Sequence, residues 1–207
     1  MKKYSFIVGI FLLIVSVLFT IALTKYDVSD IGPNKSSVGF SSLNKSLTFD
    51  YNEKIYKVSK YAGYVAFVIP VVYAGIGLYQ LIKGKSFAKV DKRLYILAIF
   101  YILVLATYLF FEKVVINYRP VIIDNGLEPS FPSSHTLMSL FLCSSAIYLN
   151  KEMFKEKTKL INLCLFMLLL VIVGCRYISG VHWFTDIVGA VLIAGTLMSF
   201  FKASVKE

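Results

Sequence analysis

His135 and His182 are the only histidines in the 207-residue chain. Each lies where a long apolar run meets a polar segment. His182 precedes Asp186 by four residues, so at the start of a helix the two side chains share one face. A carboxylate that accepts a hydrogen bond from one ring nitrogen fixes the tautomer and leaves the other nitrogen free to attack. The spacing therefore indicates an imidazole held for nucleophilic attack.

Arg176 lies six residues before His182, across a turn formed by Ser179 and Gly180. A guanidinium at that position can donate two parallel hydrogen bonds to phosphate oxygens. A His–Asp helix cap with an arginine at the membrane border explains Arg176, His182 and Asp186 equally well. The triplet alone leaves both interpretations open.

His135 follows the tripeptide Pro132-Ser133-Ser134. Ser133 or Ser134 can cap a helix that starts here, and the free N–H groups of a helix N-terminus bind anions. A histidine in the first turn of that helix can donate a proton to a leaving oxygen. Two serines before a helix are usually only a cap, so this motif alone favours the structural interpretation.

Two further cations, Lys113 and Arg119, follow an apolar run, and Pro120 comes directly after Arg119. Taken singly they are typical of a snorkelling lysine and an interfacial arginine. The three clusters together bring three cations, a helix N-terminus and two histidines to one predicted membrane face. That combination indicates phosphoryl transfer, in which positioning and charge stabilisation carry the catalysis.

No metal and no other cofactor is predicted, because the nearby carboxylates do not cluster as metal ligands do. These carboxylates are Glu112, Asp124, Glu128 and Asp186. The three cysteines, Cys143, Cys164 and Cys175, form no CxxC pair and are interpreted as small residues of membrane helices.

The chain that must position these groups is 57% hydrophobic with a mean hydropathy of +0.72. That composition predicts an all-α, polytopic membrane protein with no separate soluble domain over residues 1–207. Six spans are predicted, the first an uncleaved anchor rather than a signal peptide. They cover residues 4–23, 61–82, 94–111, 133–149, 160–175 and 183–201.

Positive charge predicts the orientation of the spans. One side carries 13 of the 22 Lys and Arg residues and four of the 12 acidic residues, a net of +9 against +1 for the other. By the positive-inside rule both termini are cytoplasmic, and segments 24–60, 112–132 and 176–182 face outward. The net charge of +10 is thereby explained without a nucleic-acid partner. The charges counted inside are Lys2, Lys3, Lys83, Lys85, Lys89, Asp91, Lys92, Arg93, Lys151, Glu152, Lys155, Glu156, Lys157, Lys159, Lys202, Lys206 and Glu207.

An amphipathic helix is predicted between the first two spans. Its apolar residues recur at spacings of three and four, which is typical of a helix lying on the outer membrane surface. A solvated loop is the alternative. The residues are Phe40, Leu43, Leu47, Tyr51, Ile55 and Val58.

The ordered motifs resemble the type 2 phosphatidic acid phosphatase family of the haloperoxidase-like superfamily. That family carries Lys, six residues, Arg-Pro; then Pro-Ser-Gly-His; then Ser-Arg, five residues, His, three residues, Asp. Here the motifs lie within residues 113–186, as Lys113…Arg119-Pro120, Pro132-Ser133-Ser134-His135 and Cys175-Arg176…His182…Asp186. The third motif keeps both of its spacings and is the most specific.

The resemblance implies a role for each matching residue. His182 is the nucleophile, Asp186 orients it, and His135 protonates the leaving alcohol. Phosphate is bound by the residues Lys113, Arg119, Ser133 and Arg176, with help from the backbone of Ser134.

Three positions depart from the family pattern. Only five residues separate Lys113 from Arg119, although the long lysine stem can absorb such an offset. Ser134 replaces a glycine, which matters where positive φ or a close backbone approach is needed. Cys175 replaces a serine and exchanges a hydroxyl donor for a weak thiol.

The expected function is hydrolysis of a membrane lipid phosphate or diphosphate through a phosphohistidine at the outer face. Undecaprenyl diphosphate is placed first among substrates, with phosphatidic acid and phosphatidylglycerol phosphate as rivals. A phosphotransferase using the same phosphoenzyme and a non-catalytic transporter or scaffold are the alternatives. The sequence predicts no oligomeric state.

Overall fold

The structure, a computed structural model, describes residues 2–123, 126–154 and 158–205. These ranges contain no β-strand, only isolated bridges, which confirms the all-α prediction. Six residues counted in the charge and carboxylate analysis, Asp124, Lys155, Glu156, Lys157, Lys206 and Glu207, lie outside these ranges. The helices are α1 Lys2–Leu23, α2 Ser41–Leu47, α3 Glu53–Ala66, α4 Val68–Gly84, α5 Lys92–Lys113, α6 Ser134–Phe154, α7 Lys159–Ile178 and α8 Phe184–Val205.

Five stretches of the described chain are long and apolar enough to cross a membrane: α1, α3 with α4, α5, α7 and α8. Helix α6 has 21 residues, which gives it a length of about 31 Å and lets it also span a bilayer. It is less apolar because it packs against α3, α4, α5, α7 and α8, and polar residues such as Ser139, Ser145 and Asn150 are buried there. Small and polar side chains are common at helix interfaces in membranes. The predicted all-α membrane bundle is confirmed, with α6 packed among the other helices. The predicted count of six spans exceeds by one the five that the described chain shows by length and composition.

The second span differs from its predicted start. It begins at Glu53 rather than near residue 61 and runs through two helices that meet at Phe67. The side chain of Asn52 caps α3 by accepting from the Ile55 N–H at 3.1 Å. Pro70, in the first turn of α4, has no N–H to donate to Ala66, which explains the interruption.

The predicted amphipathic helix is divided into two. Helix α2 ends at Leu47, and an extended segment, residues 48–52, precedes α3. The Asn52 N–H donates to the Ser179 carbonyl at 3.0 Å, and Tyr177 Oη donates to the Leu47 carbonyl at 2.7 Å. Gly180 has φ of +71° and leaves a Cβ no room, because the Phe49 carbonyl would lie 2.4 Å away. Contacts with the end of α7 therefore override the helical periodicity.

Helices α1 and α8 run antiparallel and form the most extensive helix pair of the described residues. Gly9 permits the close approach, since an added Cβ would lie 2.8 Å from the Phe200 ring. At the start of α1, Lys2 lines a surface cavity with Ser204 near the end of α8. Both ends of the described chain are therefore together, opposite the end where α8 begins beside His182.

Candidate active site

His182 lies in the short connection between α7 and α8, and Asp186 lies in the first turn of α8. The His182 side chain is 2% exposed and that of Asp186 0%, and Nδ1 lies 3.4 Å from Oδ2. Nδ1 is not aligned for a hydrogen bond with any described residue. The pair predicted from the four-residue spacing is therefore formed at ion-pair distance.

The Asp186 carboxylate is held by other donors. Its Oδ2 accepts from the Trp183 N–H at 3.0 Å, and its Oδ1 lies 3.4 Å from Asn117 Nδ2. The Trp183 indole donates to the Tyr118 carbonyl at 2.8 Å. These bonds tie the start of α8 to the loop after α5, so the carboxylate is fixed from two directions.

Ser133 takes the N-cap position of α6. Its carbonyl accepts the first intrahelical bond, from the Leu137 N–H at 2.8 Å. Its hydroxyl lies 2.9 Å from Thr136 Oγ1. The Ser133 N–H donates to the Asp186 carbonyl at 3.1 Å, which joins the segment before His135 to the helix after His182. Ser133 therefore holds the N-cap position by its backbone, while its hydroxyl donates to Thr136 Oγ1 rather than accepting from a helix N–H.

Ser134 and His182 line one small cavity together with Tyr108, Phe111 and Glu112 of α5. Ser134 is the first residue of α6, directly before His135. The first N–H groups of a helix lack intrahelical partners and can bind an anion. The structure therefore brings the helix N-terminus that carries His135 beside His182.

Arg176 lies in the last turn of α7 and is completely buried. Its guanidinium carbon is 5.1 Å from the centre of the Tyr56 ring, a distance typical of a cation–π contact. Tyr56 also acts on it electrostatically, but Nε and both Nη atoms form no aligned hydrogen bond with the described residues. A buried cation without hydrogen-bond acceptors is costly. Its donors fit the oxygens of an anion.

Arg119 is positioned by the loop between α5 and α6. Its guanidinium pairs with Glu128 at 3.0 Å, and its backbone N–H donates to the Glu128 carbonyl at 3.0 Å. Its Nε is buried and has no hydrogen bond within the described part of the chain. Arg119 acts electrostatically on Arg176 and on both histidines. Glu128 therefore holds Arg119 in place, while the Arg119 Nε–H is left to donate to a bound anion.

Lys113 is the predicted phosphate ligand for which the described part of the chain shows no contact with the other site residues. It is the last residue of α5 and is exposed. It forms no hydrogen bond or ion pair within residues 2–123, 126–154 and 158–205.

Burial and positive charge hold His182 neutral. Burial is the main cause that lowers the pKa of His182 well below its ordinary value of 6.5, and the cations Arg119 and Arg176 lower it further. A neutral imidazole carries the lone pair that nucleophilic attack requires.

The contribution of α3 could not be recognised from the sequence motifs. Tyr56 covers Arg176, and at Gly63 an added Cβ would lie 2.9 Å from His135 Cδ2. The seven-residue separation of Tyr56 and Gly63 places them on one helix face two turns apart. The sequence shows this separation, but it does not show which residues this face of α3 contacts.

Within the described residues, no three His, Cys, Asp or Glu side chains form a group that could hold a metal. The cluster instead combines two imidazoles, two guanidinium groups and a helix N-terminus. Such a set can bind a tetrahedral anion, neutralise its charge and transfer it to an imidazole nitrogen.

Comparisons with known proteins agree with this architecture. The chain matches the PAP2 superfamily over residues 6–207, and it therefore belongs to that superfamily. A solved structure described as the first transmembrane PAP2 type phosphatidylglycerolphosphate phosphatase, from Bacillus subtilis, is similar at 17% identity and a TM-score of 0.56. The similarity covers 94% of each chain and shows a shared fold. No curated protein matches by sequence. The chain is thus a multi-pass membrane protein of the PAP2 superfamily.

Proposed function

We propose that the protein is a membrane lipid phosphatase that works through a phosphohistidine on His182. The observation that carries this proposal is the completely buried Arg176, whose guanidinium donors form no aligned hydrogen bond with the described chain. A phosphate group offers the acceptors that this guanidinium lacks. The same anion would lie beside His135 and His182, both of which Arg176 influences electrostatically.

In the proposed mechanism, a nitrogen of His182 attacks the terminal phosphorus and forms an N–P bond as the P–O bond to the leaving group breaks. The leaving group is the lipid alcohol when the substrate is a monoester and the lipid monophosphate when it is a diphosphate. When a monoester reacts, His135 donates a proton to the departing alcohol oxygen. Water then attacks the phosphohistidine, His135 takes its proton, and inorganic phosphate leaves. Asp186 orients His182 and stabilises the positive charge that the ring acquires.

Phosphate binding is assigned to Arg119, Arg176, Ser133 and the backbone of Ser134. Lys113 belongs to the same predicted set, but its exposed position gives it the weakest claim to direct contact. Three or more donors neutralise the equatorial oxygens of the transferred phosphoryl group without a metal ion. Activity in excess chelator would support this assignment, whereas loss restored by magnesium would contradict it.

A lipid substrate is supported by an apolar groove between α1 and α5. Its lining includes Val17 and Ile21 of α1 and Thr107, Phe110 and Phe111 of α5. Phe111 also lines the cavity that holds His182 and Ser134. A lipid could therefore keep its chain in the groove while its phosphate reaches His182.

The proposed location is the cell membrane, with both termini cytoplasmic and the site facing outward. A phosphatase at that face would meet the polyprenyl diphosphate released by cell-wall polymerisation, so undecaprenyl diphosphate is placed first. Phosphatidic acid and phosphatidylglycerol phosphate remain rivals, and the related solved structure is described as acting on the latter.

The experiment measures phosphate release by reconstituted protein from each of these lipids and from soluble phosphate esters, with His182→Ala as the matched control. We expect a strong preference for the lipids, expressed in KM because the chain contributes binding. Equal efficiency on soluble esters would contradict the lipid assignment. Transfer of label to an added lipid or sugar alcohol, without free phosphate, would instead identify a phosphotransferase.

A further inference from the structure

One face of helix α3 packs against the candidate site. Tyr56 packs over the Arg176 guanidinium. Two turns later, Gly63 meets His135, where an added Cβ would lie 2.9 Å from Cδ2 and 3.7 Å from Nε2. The helix therefore passes from the phosphate-binding arginine to the proposed acid, and a side chain on this face between the two contacts lies beside the site.

Lys60 occupies that interval, four residues after Tyr56 and three before Gly63. Residues three and four apart neighbour each other on a helix, so Lys60 lies on the edge of the same face. Its side chain is half-buried, and it forms no hydrogen bond or ion pair within the described chain. It is a cation beside the site whose charge is not neutralised by a nearby carboxylate.

Lys60 acts electrostatically on His135 and is not among the groups acting on His182. Its charge acts on His135, together with Arg176 and Arg119. The groups acting electrostatically on His182 are Arg119, Arg176 and His135. Together with the contact of Gly63 with His135, this associates the charge of Lys60 with the proposed acid rather than with the nucleophile.

We propose that Lys60 binds the phosphate that leaves when the substrate is a lipid diphosphate, and that it sets the preference for diphosphates over monoesters. The proposal rests on the proposed function and deepens it by assigning a substrate class to a residue outside the three motifs.

Lipid monoesters and lipid diphosphates release different leaving groups, which need different stabilisation by the protein. When a monoester reacts, the P–O bond to the lipid alcohol breaks, and the departing alkoxide is strongly basic and needs a proton from His135. When a diphosphate reacts, the bridging P–O bond breaks and a lipid monophosphate departs. That group is weakly basic, since its second pKa is about 6, so it leaves without a proton and its added negative charge requires a nearby cation.

The test compares Lys60→Met with wild type on undecaprenyl diphosphate and on phosphatidic acid in identical micelles. Loss of one charge-assisted contact should lower kcat/KM for the diphosphate about tenfold or more. The value for phosphatidic acid should change less than about twofold, because only its transferred phosphate meets the site. Lys54→Met is the matched control, since Lys54 is exposed and lies on the opposite side of α3.

Lys60→Arg should retain the diphosphate preference, because it keeps the charge. If Lys60→Met does not fold, Lys60→Gln serves in the same comparison. An equal loss on both substrates would overturn the proposal by placing Lys60 on the transferred phosphate, and no loss on either would also overturn it. Failure of the phosphatase assignment itself is distinguishable, because the wild type would then release no phosphate from either lipid.

Discussion

The Ser133 N–H donates a 3.1 Å hydrogen bond to the Asp186 carbonyl, and this bond joins the two segments that carry the histidines. Ser133 directly precedes α6 and lies two residues before His135, and Asp186 lies four residues after His182. Because the bond is formed by backbone atoms of two helix starts, it fixes both imidazoles relative to each other without using either ring. The site is therefore built where two helix N-termini meet, a place suited to anions.

The buried Arg176 should cost stability in the absence of an anion. Arg176→Met removes an unsatisfied buried charge, so we expect about 1 kcal/mol or more of stabilisation, roughly 2–4 °C in Tm. The lost cation–π contact with Tyr56 offsets part of this gain. Phosphatase activity should fall below detection.

Thermal unfolding in detergent, with and without vanadate or phosphate, measures this effect. The anion should raise the Tm of wild type but not of Arg176→Met, because it binds only the folded wild-type site. A variant that is less stable than wild type without anion would contradict the account of Arg176.

Replacing Arg119 should lower kcat/KM much more than replacing Lys113. Arg119→Ala removes a buried donor close to both histidines and should lower kcat/KM about a hundredfold or more. Lys113→Ala removes an exposed side chain and should lower it less than about tenfold. Steady-state assays on one lipid substrate decide the matter, and equal losses would show that Lys113 reaches the bound phosphate.

The loss of activity caused by replacing His135 should increase with the basicity of the leaving group. His135→Ala should be severely impaired on natural lipid monoesters but partly restored on an activated aryl phosphate, whose leaving oxygen needs little protonation. Comparable impairment on both substrates would argue against His135 as the acid.

The activity of His135→Ala on the activated ester can also be used to measure the pKa of His182. The imidazole must be neutral to attack, and its pKa lies well below 6.5 because of burial and the neighbouring arginines. Activity of His135→Ala on the activated ester should therefore persist as pH falls through 6.5 and decline only at lower pH. The measurement is kcat/KM against pH, which reports the free enzyme. An acid limb at or above pH 6.5 would contradict a lowered pKa.

Much of the site follows from sequence spacing, and the rest depends on tertiary contacts. The four-residue separation of His182 and Asp186 predicted their pairing because it reflects helix geometry. The course of residues 48–52 and the role of Tyr56 were not predictable, since both depend on how the end of α7 packs against a distant segment. Glu128 was considered only as a possible metal ligand, because nothing local indicated that its partner was Arg119.

Topology provides an independent prediction. Residues 85–90 should be reached by a membrane-impermeant thiol reagent only from the cytoplasm, and residues 126–128 only from outside, because the charge difference orients the spans. The measurement is labelling of single-cysteine variants that lack Cys143, Cys164 and Cys175. Membranes opened with detergent are the control. External labelling at 85–90 but not at 126–128 would reverse the assigned orientation.

The central claim is that His182 carries the transferred phosphate. Protein mixed briefly with lipid substrate labelled in its terminal phosphate, quenched in alkali and mapped by mass spectrometry, should carry the label on His182. His182→Ala should carry none and should release no phosphate, while His135→Ala with an activated ester should still acquire it. Label on another residue, or substantial turnover by His182→Ala, would contradict the phosphohistidine mechanism.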